Sequence, residues 1–191
     1  MSERTMPDLE DLQRELDRVR DKKRYRSALK STVYALITVS AVAVLVATLL
    51  LPVLQIYGTS MTPTLAEGNI VVSVKGKQYT RGDILAFYYN NKILIKRVVA
   101  FPGEWVNIDT DGAVYVNGER LNEPYVDQLA FGDCDIELPY QVPDGKTFVM
   151  GDHRSTSQDS RTSAIGCVTE EQIVGRIVFR VWPLSEIGKV G

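Results

Sequence analysis

Ser60 and Lys96 are the residues of this 191-residue chain whose types and surroundings could do chemistry. Ser60 lies in Gly58-Thr59-Ser60-Met61-Thr62-Pro63-Thr64-Leu65. Gly58 permits backbone angles closed to other residues and Pro63 stiffens the exit, so one hydroxyl can be held in a single exposed conformation. A serine hydroxyl is a weak nucleophile unaided, and its base must come from elsewhere in the fold. Taken alone, the stretch also reads as a plain turn.

Lys96 offers that base. It sits in Ile93-Leu94-Ile95-Lys96-Arg97-Val98-Val99-Ala100, a β-prone run that is apolar except for two adjacent cations. Side chains alternate along a strand, so Lys96 and Arg97 point to opposite faces, and Lys96 shares its face with Leu94, Val98 and Ala100. Apolar neighbours disfavour the ammonium form, and a lysine brought towards neutrality at working pH becomes a usable general base. A lysine paired with a carboxylate, or one whose stem covers the core while its head stays wet, would carry the same sequence. A third polar cluster, Gly151-Asp152-His153-Arg154-Ser155-Thr156-Ser157-Gln158-Asp159-Ser160-Arg161, follows the apolar Thr147 to Met150. A solvated loop is its default reading. The mixture of small hydroxyls with Asp and Arg suits a self-bonded platform beneath a site better than a flexible linker.

The elements that must position these residues are also legible. Residues Val33 to Leu51 carry no charge, and the apolar run can continue past Pro52 to Val53 and Leu54. At 1.5 Å per residue it spans roughly the 30 Å of a bilayer core. The leader of about thirty polar residues is too long for a cleaved export signal, and the apolar core exceeds the usual 7–15 residues. Arg18, Arg20, Lys22, Lys23, Arg24, Arg26 and Lys30 crowd its amino-terminal flank against the single acid Asp21. The positive-inside rule then keeps the amino terminus in the cytoplasm. The expected organisation is a charged helical segment over residues 1–31 (its helix from Pro7 to about Arg26), a transmembrane anchor over 32–54, and an extracytoplasmic β-rich domain over 55–191.

That outer part reads as mostly antiparallel β. Short β-prone runs at Asn69–Val74, Asp83–Tyr89, Ile93–Ala100, Trp105–Asp109, Ala113–Val116, Lys146–Met150 and Ile173–Val181 are broken by Gly, Pro, Asn and Asp. Asn90-Asn91 and Asn117-Gly118 look like hairpin turns. With 22 basic and 24 acidic residues there is no global basic footprint to suggest nucleic acid. One histidine and two cysteines are too few for a familiar zinc site, so neither metal nor cofactor is expected.

Taken in order, these pieces resemble one family closely: the bacterial type I signal peptidases, membrane-bound serine proteases with a Ser/Lys dyad, in their compact Gram-positive-like form. The stretch 58–65 resembles the nucleophile motif and Lys96-Arg97-Val98-Val99-Ala100-Phe101-Pro102-Gly103-Glu104 the lysine motif. Arg81-Gly82-Asp83-Ile84 resembles the segment before it, and residues 151–161 the closing Gly-Asp-Asn-Arg…Ser…Asp-Ser-Arg motif. The resemblance implies Ser60 as nucleophile, Lys96 as base and Ser157 as the serine that orients the lysine. It also implies that Gly58, Met61 and Pro63 shape the nucleophile turn and that ion pairs of Arg97, Asp152, Asp159 and Arg161 brace the site. The implied substrates are signal peptides of exported preproteins, with small residues at the positions one and three before the cut, bound extended against a strand edge.

Two departures stand out. Some relatives carry a hydroxyl two residues before the nucleophile that helps hold the oxyanion. Here that position is Gly58, which leaves the Ser60 backbone N–H and a second donor that the sequence does not name. His153 stands where the family usually has Asn. With Lys96 in place, it reads as a tolerated loop substitution rather than a rival base. Cys134 and Cys167 fall in the external part, where a disulfide could persist, and the sequence leaves their pairing open. A self-cleaving repressor-type Ser/Lys protease and a non-enzymatic anchored β scaffold are the alternative readings. The anchor and the lack of a DNA-binding module count against the first, and the ordered motifs against the second.

Overall fold

The computed structural model describes residues 8–76 and 78–190. Pro7, where the expected first helix begins, lies outside them. The chain divides into one unit ending at Ala47 and a second beginning at Thr48.

The first unit is helical. Helix α1 runs from Leu9 to Leu50 without a break between its charged and apolar halves. Asp8 starts it, its carboxylate accepting the Leu9 N–H at 2.7 Å. Within the apolar half the Thr38 hydroxyl bonds the Tyr34 carbonyl one turn back, as Thr32 bonds Ala28 just before it, so these hydroxyls need no outside partner. Leu36, Ile37 and Val44 are all exposed. One helix is therefore long and apolar enough to cross a membrane. The apolar sequence continues to Leu54, but the helix stops at Leu50, and Val53–Gln55 pair as a strand instead. Pro52 explains the break: it lacks an N–H and biases the preceding residue away from helix.

The second unit is built from strands β1 (Val53–Gln55), β2 (Ile70–Val74), β3 (Ile84–Tyr89), β4 (Lys92–Ala100), β5 (Trp105–Ile108), β6 (Val114–Val116), β7 (Glu119–Arg120), β8 (Tyr140–Gln141), β9 (Lys146–Met150), β10 (Val168–Thr169), β11 (Ile173–Trp182) and β12 (Gly188–Lys189). Every pairing is antiparallel. The mostly antiparallel β reading is borne out, and each β-prone run forms a strand. The strands that escaped the sequence reading, β1, β7, β8, β10 and β12, are two or three residues long, too short for an alternation to register. Both hairpin turns form: Tyr89 pairs Lys92 across Asn90-Asn91, and Val116 pairs Glu119 across Asn117-Gly118. Asn117 and Gly118 both adopt positive φ, 54° and 84°, as a two-residue turn matched to strand twist requires.

The larger sheet has the order β1-β2-β11-β3-β4-β9-β10, with β12 on β11; the smaller is β7-β6-β5-β8. Val99, Val106, Val114, Val116, Phe148 and Met150 are buried together and join the two sheets. On the large sheet Val71, Ile84, Ala86 and Ile177 pack against Ile56, Met61 and Leu65 of the loop between β1 and β2. Strand β9 covers β4 only from Arg97 onward, so Lys92–Lys96 keep one edge unpaired among the described residues. The outer edge of β1 is unpaired likewise. Three strands separate β1 from β4, yet both line one groove, so the sheet curls until its open edges face each other.

Candidate active site

The loop that carries Ser60 is closed at its base and filled from within. The Ile56 N–H donates to the Asn69 carbonyl at 2.8 Å, and the Gly68 N–H to the Ile56 carbonyl at 2.9 Å. Met61 and Leu65 are buried in the core, and the Leu65 N–H returns to the Met61 carbonyl at 2.8 Å. With both apolar anchors pointing inward, Ser60 between Gly58 and Met61 is turned towards the groove. Gly58 has φ 80°, the left-handed region that a side chain disfavours. Pro63 follows at the end of the turn.

Strand β4 brings Lys96 to this loop. Its Nζ lies 2.6 Å from the Ser60 Oγ, and the residue is 3% exposed. Burial is the main reason its pKa falls from 10.5 to about 8. The nearby Asp159 opposes the fall, Arg161 assists it, and Asp152 opposes it more weakly. A buried amine that loses its proton near neutrality, within hydrogen-bond reach of a hydroxyl, is the arrangement that activates a serine.

Residues 151–161 form the platform beneath this pair. Asp152, Arg154, Ser157, Asp159, Ser160 and Arg161 are all buried. The Arg97 guanidinium donates to both Asp152 oxygens, at 2.9 and 2.7 Å, and to the Gly82 carbonyl. Arg161 donates to both Asp159 oxygens, at 2.8 and 2.9 Å, and also reaches the Phe131, Arg154 and Ser157 carbonyls. Buried charges persist only when paired and hydrogen-bonded in this way. Ser157 is buried beside the site, but its hydroxyl makes no hydrogen bond among the described residues, so the expected bond to Lys96 is not formed here. His153 contributes through its backbone: its N–H donates to the Ser60 carbonyl at 3.1 Å. Its ring faces the Thr156 hydroxyl at 3.2 Å. Cys134 and Cys167 are free thiols, and burial pushes Cys167 up to about 11.

Several supporting residues were not singled out from sequence. Gly151 is one: a Cβ there would fall 2.5 Å from the Ser60 carbonyl oxygen and 2.6 Å from Ser157 Cβ. Thr64 bonds Asp152 and Arg97, tying the nucleophile loop to the ion pair. Arg154 pairs with Glu123 while its Nε donates to the Gly151 carbonyl. The Tyr125 ring stacks 3.8 Å beneath the Arg97 guanidinium. Gly151, Arg154 and Thr64 lie within the two polar motif stretches, whereas Glu123 and Tyr125 lie in no motif and gave no signal.

Arg180 of β11 is the least expected. Its Nη1 donates to the Thr64 carbonyl at 3.1 Å and to the Asn69 Oδ1 at 3.2 Å and lies 2.9 Å from the Glu186 carboxylate, while its Nε donates to the Glu186 carbonyl at 2.9 Å. It therefore clamps the far end of the Ser60 loop. Arg180→Met is expected to lower kcat about tenfold with KM moved less than twofold, because displacing a reacting group costs rate rather than affinity. Glu186→Gln, at a half-exposed partner, is expected to cost less. Steady-state kinetics on a peptide substrate checks both.

A groove of about 690 Å³ opens in front of Ser60 and Lys96. Its walls are Val53–Tyr57 on one side and Asn91–Ile95 on the other. They are the two strands whose edges are free.

The profile described as "Signal peptidase, peptidase S26" matches residues 29–182. A signal peptidase I of Bacillus amyloliquefaciens is 34% identical over 181 residues, covering 89% of this chain and 97% of its own. A signal peptidase IB of Staphylococcus aureus is 36% identical over 151 residues, covering 69% of this chain and 78% of its own. A solved signal peptidase I from Enterococcus faecalis V583 is 30% identical with a TM-score of 0.45, covering 52% of this chain and 97% of its own. With a profile spanning most of its length and relatives aligned over most of theirs, the chain belongs to the signal peptidase family, peptidase S26, and is a serine peptidase.

Proposed function

We propose that the protein is a membrane-anchored endopeptidase that removes signal peptides from exported preproteins, with Ser60 as nucleophile and Lys96 as general base. The observation that carries this reading is the 2.6 Å approach of a buried, depressed-pKa amine to the Ser60 hydroxyl. Neutral Lys96 takes the Ser60 proton as Oγ attacks the scissile carbonyl, and the oxyanion is held by the Ser60 backbone N–H. The ammonium then protonates the departing amine, which leaves an acyl ester on Ser60. Neutral again, Lys96 activates the water that hydrolyses the ester. Gly58, Met61 and Pro63 set the nucleophile turn. The Arg97–Asp152 and Arg161–Asp159 pairs fix the floor, and Ser157 supplies a hydroxyl within the Lys96 environment once the amine turns from Ser60.

The precursor binds as an added strand between the free edges of β1 and β4, its backbone completing their hydrogen bonds. Side chains alternate along that strand, so the residues one and three before the cut face the same wall and must be small. Residues 1–31 stay in the cytoplasm, 32–54 cross the cytoplasmic membrane once, and 55–191 work outside. The precursor's own apolar segment lies in the same bilayer, which raises its effective concentration at the site.

A synthetic precursor peptide with Ala at the positions one and three before the intended bond, incubated with full-length protein in detergent, tests the reading. A single cut after the second Ala is expected, with acid quenching trapping the amino-terminal fragment as an ester on Ser60 by mass spectrometry. An ester on another residue, or cleavage with no ester, would overturn the assignment.

A further inference from the structure

A second cavity, of about 250 Å³, borders the same serine loop. It is lined by Thr62, Pro63, Asp127, Gln128, Asp152 and His153. The lining of the large groove ends along the loop at Met61, and that of the second cavity begins at Thr62. The two are joined at the nucleophile, because the His153 N–H on the cavity wall bonds the Ser60 carbonyl at 3.1 Å. A peptide whose residues before the cut fill the groove must carry its residues after the cut past the other side of Ser60.

The chemistry of the cavity is one-sided. Asp152 is spent, its oxygens taken by Arg97 and Thr64. Asp127 is exposed and has no hydrogen-bond or ion-pair partner among the described residues. Gln128 adds an amide beside it. The lining holds no lysine or arginine, and the ring of His153, its one histidine, faces Thr156. The cavity thus presents acceptors and one uncompensated negative charge, with room for one side chain.

Resting on the Ser60 reading above, we propose that this cavity is a subsite for the departing side of the substrate, selecting a cationic side chain at the first or second residue after the cut, with Asp127 as the selecting residue. Rim charges act through Coulomb attraction that salt screens, so the preference is strongest at low ionic strength.

The test uses the full chain in detergent and three peptides, identical up to the cut, carrying Lys, Ala or Glu at the two positions after it. The readout is the Lys-to-Glu ratio of kcat/KM within each variant, so a general loss of activity cancels. Wild type is expected to favour Lys about fivefold at low salt and less at high salt. Asp127→Asn, which keeps the shape, should bring the ratio near one, and Asp127→Lys should invert it. A wild-type ratio near one, or a ratio unchanged in both variants, would overturn the subsite while leaving the Ser60 reading standing. Failure of the wild type to cut any of the peptides would overturn both.

Discussion

Lys96→Met is expected to abolish cleavage and at the same time to make the β domain more stable. Both effects follow from burial of the amine. General-base assistance is worth about 10²–10⁴-fold, and that much of kcat is expected to vanish. Lys96→Arg should not rescue it, because a guanidinium keeps its proton. On the proposed mechanism only neutral Lys96 accepts the Ser60 proton, so kcat/KM should climb roughly tenfold per unit below pH 8 and level off above about 8, where the amine is neutral. Stability follows the same proton. Between about 8 and 10.5 the unfolded chain binds it and the folded chain does not, so stability rises with pH across that window. Below it the folded protein bears the full cost of a buried ammonium, about 3 kcal/mol at 1.4 kcal/mol per unit. The lost bond to Ser60 returns about 1 kcal/mol. Lys96→Met is therefore expected to gain about 2 kcal/mol at pH 7 and to lose that advantage towards pH 10.5, as urea titrations at several pH values would reveal. An activity profile unchanged in shape by Lys96→Met but lost on changing His153 would transfer the role of base to the histidine.

Gly151→Ala is expected to cost at least about 10²-fold in kcat, although it adds a single methyl group and touches no reacting atom. The methyl carbon has no room: it would overlap the Ser60 carbonyl and the Ser157 side chain, both on well-anchored backbone. The Gly151 N–H is bonded to Asp159 and its carbonyl to Arg154, so the glycine cannot yield either. The nucleophile must move, and displacements of about 1 Å cost that much rate. Overpacking should also lower stability by about 1–3 kcal/mol. Gly188→Ala is the control, because nothing lies within 4 Å of its added carbon. Wild-type kcat in Gly151→Ala would mean that the serine loop is softer than its hydrogen bonds imply.

The sequence reveals this site unevenly, for physical reasons. Lys96 is readable because alternation assigns its face without knowledge of any partner. The longer strands are readable for the same reason, and the short β5 and β6 stand out between turn residues, whereas β1 has three residues and follows a helix of similar composition. Arg97 and Asp152 lie 55 residues apart, and only the motif resemblance couples them. Glu123 and Arg180 lie in no recognisable motif, 31 and 116 residues from their partners Arg154 and Thr64, so nothing local records these pairings. The need for glycine at 151 arises from the approach of two other segments, which exists only in the folded chain. The Ser157 bond was expected from resemblance alone, and the lysine here spends its contact on Ser60 instead.

The curled sheet, with unpaired edges of β1 and β4 facing across one groove, also acts as a conformational filter. On the proposed binding mode, one extended chain pairing with both edges fills a gap of two strand spacings, about 9–10 Å. A helix, at 10–12 Å across with its own backbone already bonded, offers neither the width nor the free N–H and C=O groups. A hairpin brings two strands where one fits. The same concavity keeps a neighbouring folded sheet from docking on edges that would otherwise invite self-association. Cargo bound in the proposed way would be judged by its state of folding before any side chain is read, and a bond would become cleavable only while the chain around it is still extended.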